Sequence, residues 1–133
     1  MSDSVSPHTI LVVDDEPEIR KLVSAMLTRN GYKVVSADTG ENAVRLFKGH
    51  PEISLLLTDV VAPGMSGPMI ADHIAALKPD IRVLFMSGYD STQVVQRYVV
   101  EKGYSLLIKP FTMEQLERKV KLVLAGGCAT AGA

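Results

Sequence analysis

Five short apolar runs, each followed by a stretch of helical periodicity, predict an α/β fold: a doubly wound three-layer sandwich with a parallel sheet covered on both faces. Two observations carry this. Runs and helical stretches alternate strictly along the chain. The runs are near-continuous in Val, Ile and Leu, as befits strands buried on both faces. Crossovers between such strands are expected to be right-handed. With 133 residues the chain is most simply one domain, large enough to bury a core without disulfides or a structural metal. Residues 1–8 read as a polar leader, 9–124 as the domain and 125–133 as a flexible tail.

Thr9 to Val13 is the first strand, and it ends abruptly in Asp14, Asp15 and Glu16. Pro17 suits the first turn of a helix in which Ile19, Leu22, Val23, Met26 and Leu27 make one apolar stripe. Asn30 and Gly31 stop it. Lys33 to Ala37 is the second strand; Asp38 and Thr39 are cap candidates for a helix to about Lys48 that buries Val44 and Phe47. Leu55 to Thr58 is the third, running into Asp59 and a loop broken by Pro63, Gly64 and Gly67. Ser66 can cap a helix with Pro68 in its first turn and Ile70, Ile74 and Leu77 inward, ended by Pro79.

Ile81 to Met86 is the fourth strand, closed by Ser87, Gly88 and Tyr89. A helix from about Ser91 to Lys102 follows, with Gly103 as its stop. Tyr104 to Ile108 is the fifth strand, meeting Lys109 and Pro110. Thr112 with Gln115 three residues on forms a capping box, opening a helix to about Leu124 with Leu116, Val120 and Val123 inward.

Charge excludes some functions. Fourteen basic and 15 acidic residues give a net charge of −1 with no basic run, so neither nucleic acid nor an anionic membrane surface has electrostatic support. The lone Cys128 fits a reducing compartment and no zinc site. No run approaches the ~20 apolar residues of a membrane span, and the start lacks a basic region followed by an apolar core, so a cytoplasmic protein is expected.

In a parallel sheet the strand ends sharing one edge would be Asp14 and Asp15, Asp59, Ser87 and Lys109. Each alone is an ordinary cap or loop residue; their coincidence on the edge where such sheets bind ligands points to chemistry. Two carboxylates about 4 Å apart repel by about 4 kcal/mol at an effective dielectric of about 20, so the acids call for a cation. Mg²⁺ suits them, because it takes one or two carboxylates and leaves positions for phosphate oxygens. Asp59 could then attack phosphorus while Lys109 takes up oxygen charge and Ser87 donates its hydroxyl.

These residues resemble the receiver domain of the two-component response-regulator family. The resemblance runs from about Thr9 to Leu124 and rests on the acids in VVDDE, Asp59 with PG downstream, MSGY, the KPF from Lys109 to Phe111, and the spacing among them. It implies a flavodoxin-like sheet in the order 2-1-3-4-5. Asp59 would be the phosphoacceptor, fed by phosphohistidine on a histidine kinase or histidine phosphotransfer protein. Asp14 and Asp15, the latter more directly, would hold Mg²⁺ together with Asp59 and the backbone carbonyl of Val61. Ser87 would be the switch hydroxyl and Lys109 the phosphate partner, with a cis Lys109–Pro110 bond. Leu106 departs from the pattern, standing where many members carry the Phe or Tyr of the switch; that role is not transferred to Tyr104.

The resemblance also implies a signalling switch that catalyses only its own phosphorylation and slow dephosphorylation. A homodimer could form through the Ser91 to Lys102 helix, the fifth strand and the last helix, where Val94, Val95, Tyr98, Val99 and Val100 exceed one inward stripe. A stand-alone regulator and the receiver of a hybrid histidine kinase both stay open. An aspartyl-phosphate hydrolase is a rival class, but it would want an acid at Val61. A degenerate receiver that only binds is a third, disfavoured by the full acid, hydroxyl and lysine set. His8, His50 and His73 lack ligand spacing, Tyr89 is either a gate over the site or a loop aromatic, and Met26, Met65, Met69 and Met86 are read as packing residues.

Overall fold

The computed structural model describes residues 8–61, 64–88, 97, 101 and 103–125. Among these, five strands and four helices run in the order β1 (Thr9–Val13), α1 (Pro17–Arg29), β2 (Lys33–Ala37), α2 (Gly40–Gly49), β3 (Ile53–Asp59), α3 (Gly67–Leu77), β4 (Arg82–Ser87), β5 (Ser105–Ile108) and α4 (Met113–Leu124). The strands form one parallel sheet in the order β2-β1-β3-β4-β5, the doubly wound order expected. The helix expected from about Ser91 to Lys102 lies outside the described residues except for Arg97 and Glu101, both helical. Its valines, Tyr98 and the loop residue Tyr89 lie outside them too.

Successive strand residues point to opposite faces, so each strand feeds two cores. Leu11, Val13, Leu56 and Phe85 pack with Phe47 of α2 and Ile70 and Ile74 of α3. Ile10, Val12, Leu55 and Leu57 pack with Val23 and Leu27 of α1 and Leu116 and Val120 of α4. Each such side chain, fully buried, contributes about 1.5–3 kcal/mol. Covering both faces is why the runs read as continuous rather than alternating.

The helix ends follow the predicted chemistry. Thr39 accepts the N–H of Asn42, Ser66 that of Met69, and Thr112 and Gln115 close a reciprocal capping box. Gly31 and Gly103, at φ of 93° and 80°, take the left-handed conformation expected of stops.

Several expectations are corrected. Leu22 is 52% exposed and Leu77 50% exposed, against the inward positions that helical periodicity predicts for both. Alpha-helix α1 meets the sheet through Val23, Met26 and Leu27, and Leu22 sits on the margin of that contact. Leu77 is the last residue of α3, one turn past the buried Ile74. Val44 is only half-buried because Ala43 takes the inner position of α2. That helix starts so close to α3 that a Cβ on Gly40 would lie 2.7 Å from Met65 Cβ. Met69 is exposed rather than packed. Strand β3 begins two residues earlier than predicted, at Ile53, and includes Asp59; β4 is shifted to Arg82–Ser87, and Tyr104 precedes β5. No helix among the described residues is long and apolar enough to cross a membrane.

Candidate functional site

The carboxyl ends of β1, β3 and β5 converge on the ammonium of Lys109. Its Nζ donates to Asp59 Oδ2 at 2.6 Å and to Asp14 Oδ2 at 2.9 Å, and Glu16 Oε1 lies 3.9 Å away. The ammonium is placed by its backbone. Lys109 N–H donates to Ser87 O at 2.7 Å, tying the end of β5 to the end of β4, and the Lys109–Pro110 peptide is cis as expected. Burial pulls the lysine pKa down, but its hydrogen bonds to Asp59 and Asp14 and their charges outweigh this, so the net shift is upward. Lys109 is therefore a fixed cation at ordinary pH.

Asp14 is fully buried, which is unusual for an acid and requires that its polar atoms be partnered. Its N–H donates to Ala37 O on β2, its Oδ1 accepts the N–H of Glu16 at 2.9 Å, and its Oδ2 accepts from Lys109. Its carbonyl accepts from Arg20 Nη1 at 2.8 Å. Asp59 is oriented by a local turn in which Val61 N–H donates to its Oδ1 at 2.8 Å. Behind it Gly67 presses against the strand end: a Cβ there would lie 2.5 Å from Asp59 O and 3.1 Å from the Phe85 ring. Only glycine fits this approach.

Of the predicted residues, Asp14, Asp59 and Lys109 are in direct contact. Asp15 is exposed on the same turn, and the side chain of Val61 is 66% exposed. Ser87 is buried beside the group with Oγ donating to Gly88 O at 3.3 Å. Leu106 is half-buried against the core that contains Phe85 and Tyr104, whose rings meet edge to face at 5.4 Å. Glu16 and Arg20 were not predicted as site residues. On sequence alone they read as parts of an exposed first helical turn, and nothing in their spacing separates them from Glu18 or Lys21.

The donors available to a cation are all hard oxygens: the carboxylates of Asp14, Asp15 and Asp59 and the Val61 carbonyl. That chemistry fits Mg²⁺ and excludes soft-metal preference. Among the described residues, however, no three acidic, histidine or cysteine side chains are gathered closely enough to enclose an ion. Lys109 stands between Asp14 and Asp59 and pairs with both carboxylates.

Residues 10–121 match the family model described as response regulator receiver domain. The chain is 29% identical over 115 residues to the response regulator receiver protein CpdR of Brucella abortus, covering 86% of this chain and 95% of CpdR. It is 32% identical over 124 residues to the sensor kinase CckA of the same organism, covering 92% of this chain but 13% of the kinase. It is also 32% identical over 112 residues to a cyclic di-GMP phosphodiesterase of Thermotoga maritima, covering 84% of this chain and 30% of that protein. The chain thus spans under a third of these last two relatives. Among solved structures, a response regulator receiver domain protein from Clostridium thermocellum superposes with a TM-score of 0.81 at 25% identity, covering 90% and 96% of the two chains. The CheX–CheY–BeF3–Mg complex from Borrelia burgdorferi does so with 0.81 at 25% identity, covering 93% and 94%.

Proposed function

The chain belongs to the response regulator receiver domain family, and on that premise we propose that Asp59 accepts a phosphoryl group from a phosphohistidine protein and that the domain changes conformation in response. The observation that carries this is the single ammonium of Lys109 bonded to Asp59 and Asp14 at once, joining three separate strand ends. A carboxylate held this way is presented at the sheet edge, where ligands of parallel sheets bind.

A carboxylate oxygen of Asp59 attacks phosphorus in line. The new O–P bond forms as the P–N bond to the donor imidazole breaks, and the electron pair leaves with the nitrogen. Lys109, already at hydrogen-bond distance from Asp59, passes its contact to the incoming phosphoryl oxygens. Asp14, Asp15, Asp59 and the Val61 carbonyl would hold Mg²⁺, which supplies charge against the phosphoryl oxygens and the acids. The phosphorylated Asp59 bears roughly −1.5 to −2 charge, and Ser87 exchanges its bond to Gly88 O for one to a phosphoryl oxygen. With Leu106 at the packed position on β5, the response reaches the surface without an aromatic rotation there.

An apolar hollow of about 340 Å³ beside Lys109, lined by Ile19, Leu22, Val23, Pro110 and Phe111, supports approach of the phosphohistidine donor from the α1 side. The exposure of Leu22 fits that use.

Acetyl phosphate with Mg²⁺ should label the chain through a hydroxylamine-sensitive bond. Chelation of Mg²⁺ and Asp59→Asn should each remove the label, and Asp15→Asn should severely weaken it. Label that persists in Asp59→Asn would move the phosphoacceptor elsewhere.

A further inference from the structure

Arg20 is half-buried, unlike its exposed neighbour Lys21, and from the first turn of α1 its side chain reaches back six residues to the end of β1. There Nη1 donates to the backbone carbonyl of Asp14 at 2.8 Å. That carbonyl belongs to a residue with no solvent exposure, at the point where β1 has ended. A buried carbonyl left without a donor is destabilising, so the bond holds the turn in place. The backbone nitrogen of Arg20 donates to Glu16 O, closing the first bond of α1 across that same turn. Arg20 therefore brackets the Asp14 to Glu16 segment from both its main chain and its side chain.

A planar guanidinium has donors to spare after one such bond. Asp38, following the β2 residue whose carbonyl takes the Asp14 N–H, has a carboxyl pKa below its ordinary value. The side-chain amide of Asn42, donating at 2.7 Å, is the main cause, and the nearby charge of Arg20 a lesser one. The guanidinium is thus bonded at the end of β1 and near enough to the end of β2 for its charge to favour the Asp38 carboxylate.

Granting the Mg²⁺-dependent site argued above, we propose that Arg20 is a positioning residue for the acidic corner: by holding the Asp14 carbonyl it fixes the turn on which the Asp14 and Asp15 carboxylates are carried. It touches neither phosphorus nor the ion and acts through Asp14. The proposal has a sign that separates it from simple electrostatics. A cation placed near a Mg²⁺ site opposes Mg²⁺ by repulsion, so removing one should tighten binding. Removing a group that orients ligands should instead weaken it, typically by 10-fold or more.

The test titrates the full chain with Mg²⁺ alone, followed by calorimetry and by amide resonances of Asp15 and Glu16, in wild type, Arg20→Met and Arg20→Lys. We expect about ten-fold weaker Mg²⁺ binding in Arg20→Met, faster amide exchange at Glu16, and recovery of most of the affinity in Arg20→Lys, which keeps a charged donor. Unchanged or tighter binding in Arg20→Met overturns the proposal, as does equal weakening in both variants. Should Arg20→Met not fold, Arg20→Ala, which likewise removes the donor, takes its place with the same expected direction. A wild-type chain that binds no Mg²⁺ sinks this assignment and the Mg²⁺ site together. One that binds in the expected order yet is not labelled by acetyl phosphate sinks only the phosphoacceptor assignment.

Discussion

Two lysines stand at opposite ends of the same strand and do different work. At the start of β3, Lys78 donates to the backbone carbonyls of Ile53 at 2.9 Å and Pro51 at 3.2 Å. At its finish, Lys109 donates to the carboxylates of Asp59 and Asp14. The first cation satisfies neutral main-chain acceptors that the sheet leaves over, and its environment asks nothing further of it. The second is set among Asp14, Asp59 and Glu16, with Asp15 on the same turn, so charge is concentrated there and any arriving group that alters it must rearrange its neighbours. Elsewhere on the start rim, His8 Nδ1 lies 3.0 Å from Ser54 Oγ, which donates to the main-chain carbonyl of Thr9. One rim closes the fold, and the other keeps charges whose partners can be exchanged.

The contrast can be broken most directly by exchanging each lysine for methionine. Lys109→Met strands the buried Asp14 carboxylate, so the metal-free fold should lose about 3 kcal/mol in denaturant melts. Mg²⁺ should restore part of that loss, and labelling by acetyl phosphate should survive without the shift of the Ser87 resonance. Lys78→Met should cost about 1 kcal/mol, unaffected by Mg²⁺, with labelling and the Ser87 response intact. If both variants respond to Mg²⁺ alike, the two rims are not distinct.

Two glycines sharpen it next. Gly67→Ala drives a methyl group into Asp59 O and should cost about 2 kcal/mol while slowing labelling. Gly49→Ala, in the last turn of α2 before β3, meets nothing within 4 Å and should be neutral or stabilising by up to about 1 kcal/mol with labelling unchanged. Thermal melts and labelling rates on the pair decide it. The smallest effect on stability should come from Leu22→Asp, within about 0.5 kcal/mol because the side chain is exposed. Its transfer rate from a phosphohistidine protein should nonetheless fall while its rate with acetyl phosphate does not, and equal rates from the protein donor would remove the hollow beside Lys109 from the docking route.

The elements were largely legible in the chain because their signals are local. Thr112 with Gln115, Ser66 before Pro68, and Gly31 after Asn30 each specify a helix end within four residues. Exposure was less legible. Leu22 and Leu77 obey the same periodicity as Val23 and Ile74, and only where each helix meets the sheet separates them. At the site, Asp14, Asp59 and Lys109 stood out because each ends an apolar run. Arg20 and Glu16 did not, since a charged residue in a first helical turn looks the same whether it bonds a buried carbonyl or water.

By itself, then, the order of residues determined the βα alternation, the helix caps and the polar residues that end each strand, all set by side chains within a few positions of one another. Tertiary structure decided which of those ends touch. The register that places Val13 beside Thr58 and Asp59 beside Met86 brings residues 14 and 59 to the ammonium of residue 109. Contacts spanning 50 and 95 residues depend on how the strands are ordered and paired, and no local propensity encodes that.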